Sequence, residues 1–166
     1  SNNYNFPIKI RLIISSNKNA EGLKLAKKWS IPHFIFNKNQ RLSENEILIK
    51  LKSYNINLIL LAGFMRILSK KFIRSFGKSI INIHPSLLPK FKGLDTFNRV
   101  LQEKEKKTGC TVHFVTDKLD AGKIILKKFF YINKNDNIET LKKKTQNLEY
   151  NAFSEAVIKV SRKIIF

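Results

Sequence analysis

The stretch LILLAGFMRILSKKFIRSFGKSIINIHP, residues 58–85, decides the fold. It opens on a continuous apolar run, 58–62, and closes on an Ile-rich stretch, 79–83, that reads as another buried strand. Short continuous apolar runs suit parallel strands that are covered on both faces. Gly63 breaks the first run. Residues 67–76 are amphipathic and predict a helix that stops before Gly77. Strand, helix and strand in this space imply a parallel pair joined by a right-handed crossover.

The same pattern extends outward in both directions. Upstream, 8–15 reads as a strand, 20–29 as a helix with Leu23, Leu25, Ala26 and Trp29 near helical spacing, and 32–36 as a short strand. Ser43 with Glu46 three residues on forms a capping box for a helix that runs to about residue 54 and presents Ile47, Leu48 and Leu51 on one face. Downstream, Pro85 and Pro89 bracket a rigid loop. A helix over 96–105, strands over 111–115 and 124–132 and a long helix over 137–159 follow. Alternating strands and helices predict an α/β class, a Rossmann-like, mostly parallel central sheet flanked by helices. No repeat, linker or low-complexity segment interrupts the 166 residues, so 1–166 is read as one domain.

Composition narrows the function classes. The single cysteine, Cys110, excludes a disulfide framework within the chain and fits a reducing cytoplasm. No apolar run is long enough to span a bilayer, so no membrane partner is expected. The net charge of +20 invites a nucleic-acid partner. Two features argue against it. The 32 basic residues are 26 Lys and only 6 Arg, and Arg is the better reader of bases and clamp of phosphates. Lys, Asn, Ile and Phe also share AT-rich codons, so a genome bias accounts for their excess.

In open parallel sheets, ligands sit beyond the carboxyl ends of the strands. Here those ends carry Gly63-Phe64-Met65-Arg66 and Asn82-Ile83-His84-Pro85. Asn82 and His84 lie two apart on an extended segment and so project to one face. An amide donor beside an imidazole suits the stabilisation of an oxyanion. On spacing alone, the same pair is better read as satisfying loop backbone. Asp120, in the polar turn 116–122, is either a turn former beside Gly122 or a carboxylate that bonds His84 and raises its pKa. His33 and His113, in apolar strand contexts, read as satisfied core histidines, and Trp29 as a residue that packs its helix onto the sheet. Cys110 has no ligand-spaced partner, so neither a metal nor a thiol nucleophile is indicated.

Longer motifs remove the ambiguity. LLAGFMRIL (60–68), NIHPSLLPKFKGL (82–94), GCTVHFVTD (109–117) and LDAG (119–122) together resemble the phosphoribosylglycinamide formyltransferase family, in order through nearly the whole chain. Methionyl-tRNA formyltransferases and formyltetrahydrofolate hydrolases share the Asn-x-His and Leu-Asp-x-Gly elements. The run 85–89 followed by Gly93-Leu94-Asp95-Thr96 stands closer to the glycinamide ribonucleotide enzymes.

The resemblance implies formyl transfer from 10-formyltetrahydrofolate, as cosubstrate, to the amine of glycinamide ribonucleotide in purine biosynthesis, without a metal. It implies catalytic roles for Asn82, His84 and Asp120. It places Met65, Arg66, Ile67 and Leu68, with Asn82, at the folate, and Pro85, Gly93, Gln146 and Glu149 at the substrate. It also implies a cis Leu88–Pro89 peptide. A formyltetrahydrofolate hydrolase is the alternative, and a basic nucleic-acid-binding domain the distant one. The family's first strand and Gly-rich phosphate loop find no match, because residues 8–17 align with its second strand. About one βα unit is therefore expected to be missing from the front, a strand inside the sheet would lose its place, and the 166-residue chain by itself is expected to have little or no transferase activity. Asp95 and Phe97 also stand where the family often has histidines.

Overall fold

The computed structural model describes residues 8–36 and 44–164. In chain order these form β1 (Ile13–Ser15), α1 (Glu21–Lys28), β2 (His33–Ile35), α2 (Glu44–Ser53), β3 (Leu58–Leu61), α3 (Lys70–Phe76), β4 (Ser79–His84), α4 (Thr96–Gln102), β5 (Lys107–Phe114), β6 (Ile124–Tyr131) and α5 (Ile138–Ile164). The expected α/β alternation is present. No helix among the described residues is long and apolar enough to cross a membrane.

The strands run in the orders β1-β2 and β3-β4-β5-β6. The pairs β1–β2 and β3–β4 are parallel. The pairs β4–β5 and β5–β6 are antiparallel. The connection 115–123 between β5 and β6 has no crossover helix, so these two neighbours run in opposite directions. Among the described residues no ladder joins β1 to β3, yet Ile14 of β1 packs against the cluster of Ile47, Leu51, Phe72 and Ile80.

β4 divides the molecule into two faces. Ile81 and Ile83 join Cys110 and Val112 of β5 against Ala152, Ala156 and Val157 of α5. The two alanines lie four apart on the helix, one above the other, and their small side chains let it approach the sheet closely. On the opposite face, Ile80 packs with α2 and α3, and the next two residues of that parity are Asn82 and His84. The strand ends at His84 because Pro85 has no N–H to continue the ladder.

Several expected boundaries shift for physical reasons. The helix expected from residue 67 begins at Lys70. Ser69 caps it, accepting from the Phe72 N–H at 3.0 Å, while its own N–H and hydroxyl donate to the Glu44 carboxylate. Residues 65–68 are left as loop. β1 is shorter than the 8–15 run, α4 stops at Gln102 rather than 105, and β5 starts at Lys107 rather than 111. The capping role read for Ser43 falls outside the described residues. Trp29 does not pack its helix onto the sheet. It is the C-cap of α1, 60% exposed, where the chain turns away to line an open cavity of about 440 Å³ with Ile10, Pro32 and Tyr54. His33 is exposed too, its Nδ1 3.3 Å from the Ile31 carbonyl oxygen.

Two glycines carry opposite expectations. A Cβ on Gly109 would stand 2.0 Å from the Lys128 carbonyl oxygen of the paired strand, whereas one on Gly22 in α1 meets nothing within 4 Å. Gly109→Ala is expected to destabilise by about 3 kcal/mol or more, because a backbone atom must shift. Gly22→Ala is expected to stabilise by about 0.5–1 kcal/mol through helix propensity. Urea denaturation of both variants measures the two signs.

Candidate active site

The β4–β5 register sets Asn82 directly across from His113, and His84 across from Thr111. All four share one face of the sheet. Asp120 reaches the same place from the turn after β5, which is closed by a Phe114 N–H bond to the Lys123 carbonyl oxygen. Asp120 holds a left-handed backbone (φ 45), unusual for a residue with a side chain.

Its carboxylate, 8% exposed, is the meeting point. Oδ2 accepts the Gly93 N–H at 2.8 Å and lies 3.4 Å from His84 Nδ1. Oδ1 lies 3.5 Å from His113 Nε2. That same nitrogen is 3.3 Å from Asn82 Nδ2, so a buried polar row runs Asn82–His113–Asp120–His84. His84 Nε2 is 2.8 Å from the Phe91 carbonyl oxygen.

The loop between β4 and α4 is tied to the row at several points. Thr111 donates to the Ser86 carbonyl oxygen (2.7 Å) and accepts from the Leu88 N–H (3.1 Å). Ser86 donates to the Lys90 carbonyl oxygen, and Lys127 Nζ donates to that of Leu88. Leu88–Pro89 is cis, as the resemblance leads one to expect. Phe91 and Asp95 take positive φ, as does Gly93 (φ 76), which carries no Cβ to strain there.

Burial acts on the titrating groups in different directions. It pushes His84 below the ordinary imidazole value. The Phe91 carbonyl and the Asp120 carboxylate pull upward without overcoming it. This corrects the expectation that Asp120 would raise His84: the carboxylate contributes in that sense, but desolvation of the ring is larger. For Asp120, burial favours the neutral form. The neighbouring His113 ring, the Gly93 N–H bond and the charge of His84 outweigh it and hold the carboxyl below the usual range. Cys110 is buried among apolar side chains near Glu149, which pushes its thiol up to about 12.

His84 is thus in tension. Both of its ring nitrogens face acceptors, which rewards an imidazolium, while burial penalises one. A buried row of amide, imidazole and carboxylate can stabilise developing negative charge and pass a proton.

The remaining predicted residues fall in three places. Met65 and Ile67 stand 78% and 77% exposed on the loop after β3, and Leu68 packs inward on the α2–α3 cluster. None of the three lies in a helix. Arg66 lies on the same loop, its guanidinium 5.6 Å from the Phe36 ring. Pro85 and Gly93 flank His84 and Asp120. Glu149 sits on α5 near Cys110, across the sheet from Asn82, with its carboxyl raised by burial, and Gln146 is exposed on the same helix. The structure does not bring this last pair to the row. His113, read from sequence as a core histidine, belongs in it. The signal was available: Thr111-x-His113 on an antiparallel neighbour matches Asn82-x-His84 in spacing.

Known proteins are similar to this chain. The family model for formyl transferase matches residues 1–157. A phosphoribosylglycinamide formyltransferase of Haemophilus influenzae is 39% identical over 151 residues, covering 89% of this chain and 71% of that protein. The trifunctional purine biosynthetic protein adenosine-3 of Gallus gallus is 40% identical over 152 residues, and there the chain spans only 15% of the relative's length. The crystal structure of phosphoribosylglycinamide formyltransferase from Anaplasma phagocytophilum superposes with a TM-score of 0.89 at 35% identity, covering 95% of this chain and 76% of that one.

Titration of His84 followed by NMR is expected to give a midpoint below 6.5, the ordinary value. Asp120→Asn should lower it further, since the variant removes a contribution that raises it. A midpoint above 6.5 contradicts the burial account. The linked effect on stability has one sign. A ring whose proton affinity drops on folding contributes stability above the unfolded-state pKa and loses it as pH falls through the folded value.

Proposed function

This chain belongs to the formyl transferase family, and on that premise we propose that it transfers a formyl group from 10-formyltetrahydrofolate to the amine of glycinamide ribonucleotide. The observation that carries the reading is the buried row Asn82–His113–Asp120–His84 at the carboxyl end of β4. The named relatives supply the purine substrate class.

In this proposal the substrate amine attacks the formyl carbon directly. A new C–N bond forms, the carbonyl π electrons move to oxygen, and a tetrahedral oxyanion results. The Asn82 amide and His84 face that oxygen. A developing oxyanion is a stronger acceptor than the Phe91 carbonyl that His84 Nε2 meets in this structure. Its charge also favours the imidazolium that burial disfavours. The interaction is therefore strongest when the charge has formed, which is what lowers a barrier. Asp120 orients His84 and helps carry the amine proton to the departing folate nitrogen as the old C–N bond breaks.

The exposed apolar side chains of Met65 and Ile67, beside Arg66 and Leu68, suit one wall of a pocket for the flat folate heterocycle. Pro85 and Gly93 border the substrate cleft. Gln146 and Glu149 are assigned to the substrate on the family resemblance alone. We read residues 1–166 as a single formyltransferase domain and place the reaction in the cytoplasm, which the lone cysteine fits.

The test follows the formyl label. The full-length protein is given formyl-labelled 10-formyltetrahydrofolate and glycinamide ribonucleotide. Label on the amine supports the transferase, whereas label released only as formate identifies a hydrolase and overturns the proposal. His84→Gln and Asp120→Asn are each expected to lower kcat by about 10²–10⁴-fold.

A further inference from the structure

His113 has no part in the roles given above, yet it touches two of the three residues that do. It is 2% exposed, and its strand neighbour Val112 is fully buried, so an apolar side chain would fill such a position at less cost than an imidazole. Its Nδ1 lies 2.9 Å from the Phe114 carbonyl oxygen. A carbonyl oxygen only accepts, so this nitrogen carries the hydrogen and the ring is held by the backbone of its own strand. Nε2 is the atom left to face Asn82 Nδ2 at 3.3 Å and Asp120 Oδ1 at 3.5 Å. The cross-strand register brings the ring and Asn82 together on one face.

An asparagine amide has two ends of similar shape and opposite polarity, and a half-turn about its last bond exchanges them. Only a donor end stabilises an oxyanion. Among the described residues, the contact of the Asn82 side chain that distinguishes the two ends is the one with His113. We propose that His113 is a positioning residue: anchored by its Nδ1–H on the Phe114 carbonyl, it accepts the Asn82 amide N–H at Nε2 and fixes the rotation of that amide, so that Asn82 presents a set geometry to the reacting atoms. This inference rests on the formyl-transfer reading for its kinetic consequence, but not for its structural one.

Two variants test it in the full-length protein. His113→Phe fills the space and removes both polar contacts. His113→Gln keeps a side chain that can bond Asn82. The Phe variant is expected to lose about 10–100-fold in kcat with KM for both substrates within about two-fold, because misorientation of a group that acts in the transition state costs rate rather than binding. The Gln variant should recover part of that loss. The second readout is the Asn82 side-chain NH₂ resonance pair. It is expected to be sharp and slow to exchange in the wild type and broadened or fast to exchange in the Phe variant. Unchanged kcat in the Phe variant, or equal loss in both variants, overturns the proposal, as does an Asn82 amide signal that the substitution leaves unaltered. Should the Phe variant fail to fold, His113→Leu, which also removes both polar contacts, decides in its place through the amide exchange rate, which must rise. If the wild type moves no formyl group at all, the formyl-transfer reading fails, while the amide signal continues to judge His113.

Discussion

Everything in the site depends on one buried charge. Asp120 lies on a left-handed turn, almost out of solvent, and its two oxygens face a backbone N–H and two imidazoles. A carboxylate in such a position is costly unless it is hydrogen-bonded. The surrounding structure meets that condition from three directions. Gly93 brings the loop after β4, His84 brings the end of β4, and His113 brings β5. Among the described residues, the carboxylate is what the Gly93 N–H, His84 and His113 all face.

The sheet explains how the three arrive together. On β4 the parity of apolar residues is set by α5, whose alanine ridge packs on Ile81 and Ile83. That fixes Asn82 and His84 to the other face. The antiparallel register then sets His113 and Thr111 opposite them, and Thr111 pins the loop that carries Gly93. A slip of one residue between β4 and β5 would turn His113 and Thr111 away from Asn82 and His84. The apolar core on one face is therefore what determines the polar geometry on the other.

Much of this was legible in the sequence. The apolar run 58–62, the Ile-rich stretch 79–83 and the break at Gly77 mark the parallel β3–α3–β4 unit, because period and punctuation are local signals. Asn82 and His84 could be paired by parity, but their meeting with Asp120 required the long motifs, since a turn residue 36 positions away has no periodic relation to a strand. What stayed hidden was set by tertiary contact. Helix α3 starts late because Glu44, far away in sequence, claims Ser69. Trp29 and His33 looked like core residues and are exposed, because local apolar context does not say which side of a short element is covered. His113 is buried, as its strand context implies, but its partners lie on another strand and in a turn. The direction of the His84 shift was also missed, since spacing reveals a carboxylate nearby but not how much water the fold removes.

Asp120 stays ionised despite its burial because the groups gathered around it favour the charge. Carbon-13 NMR of its carboxyl group in the folded protein, followed as the pH is lowered, measures this directly. The midpoint is expected below the ordinary aspartate value. Protonation at or above that value would show that burial wins, and would contradict the account of how the site is held together.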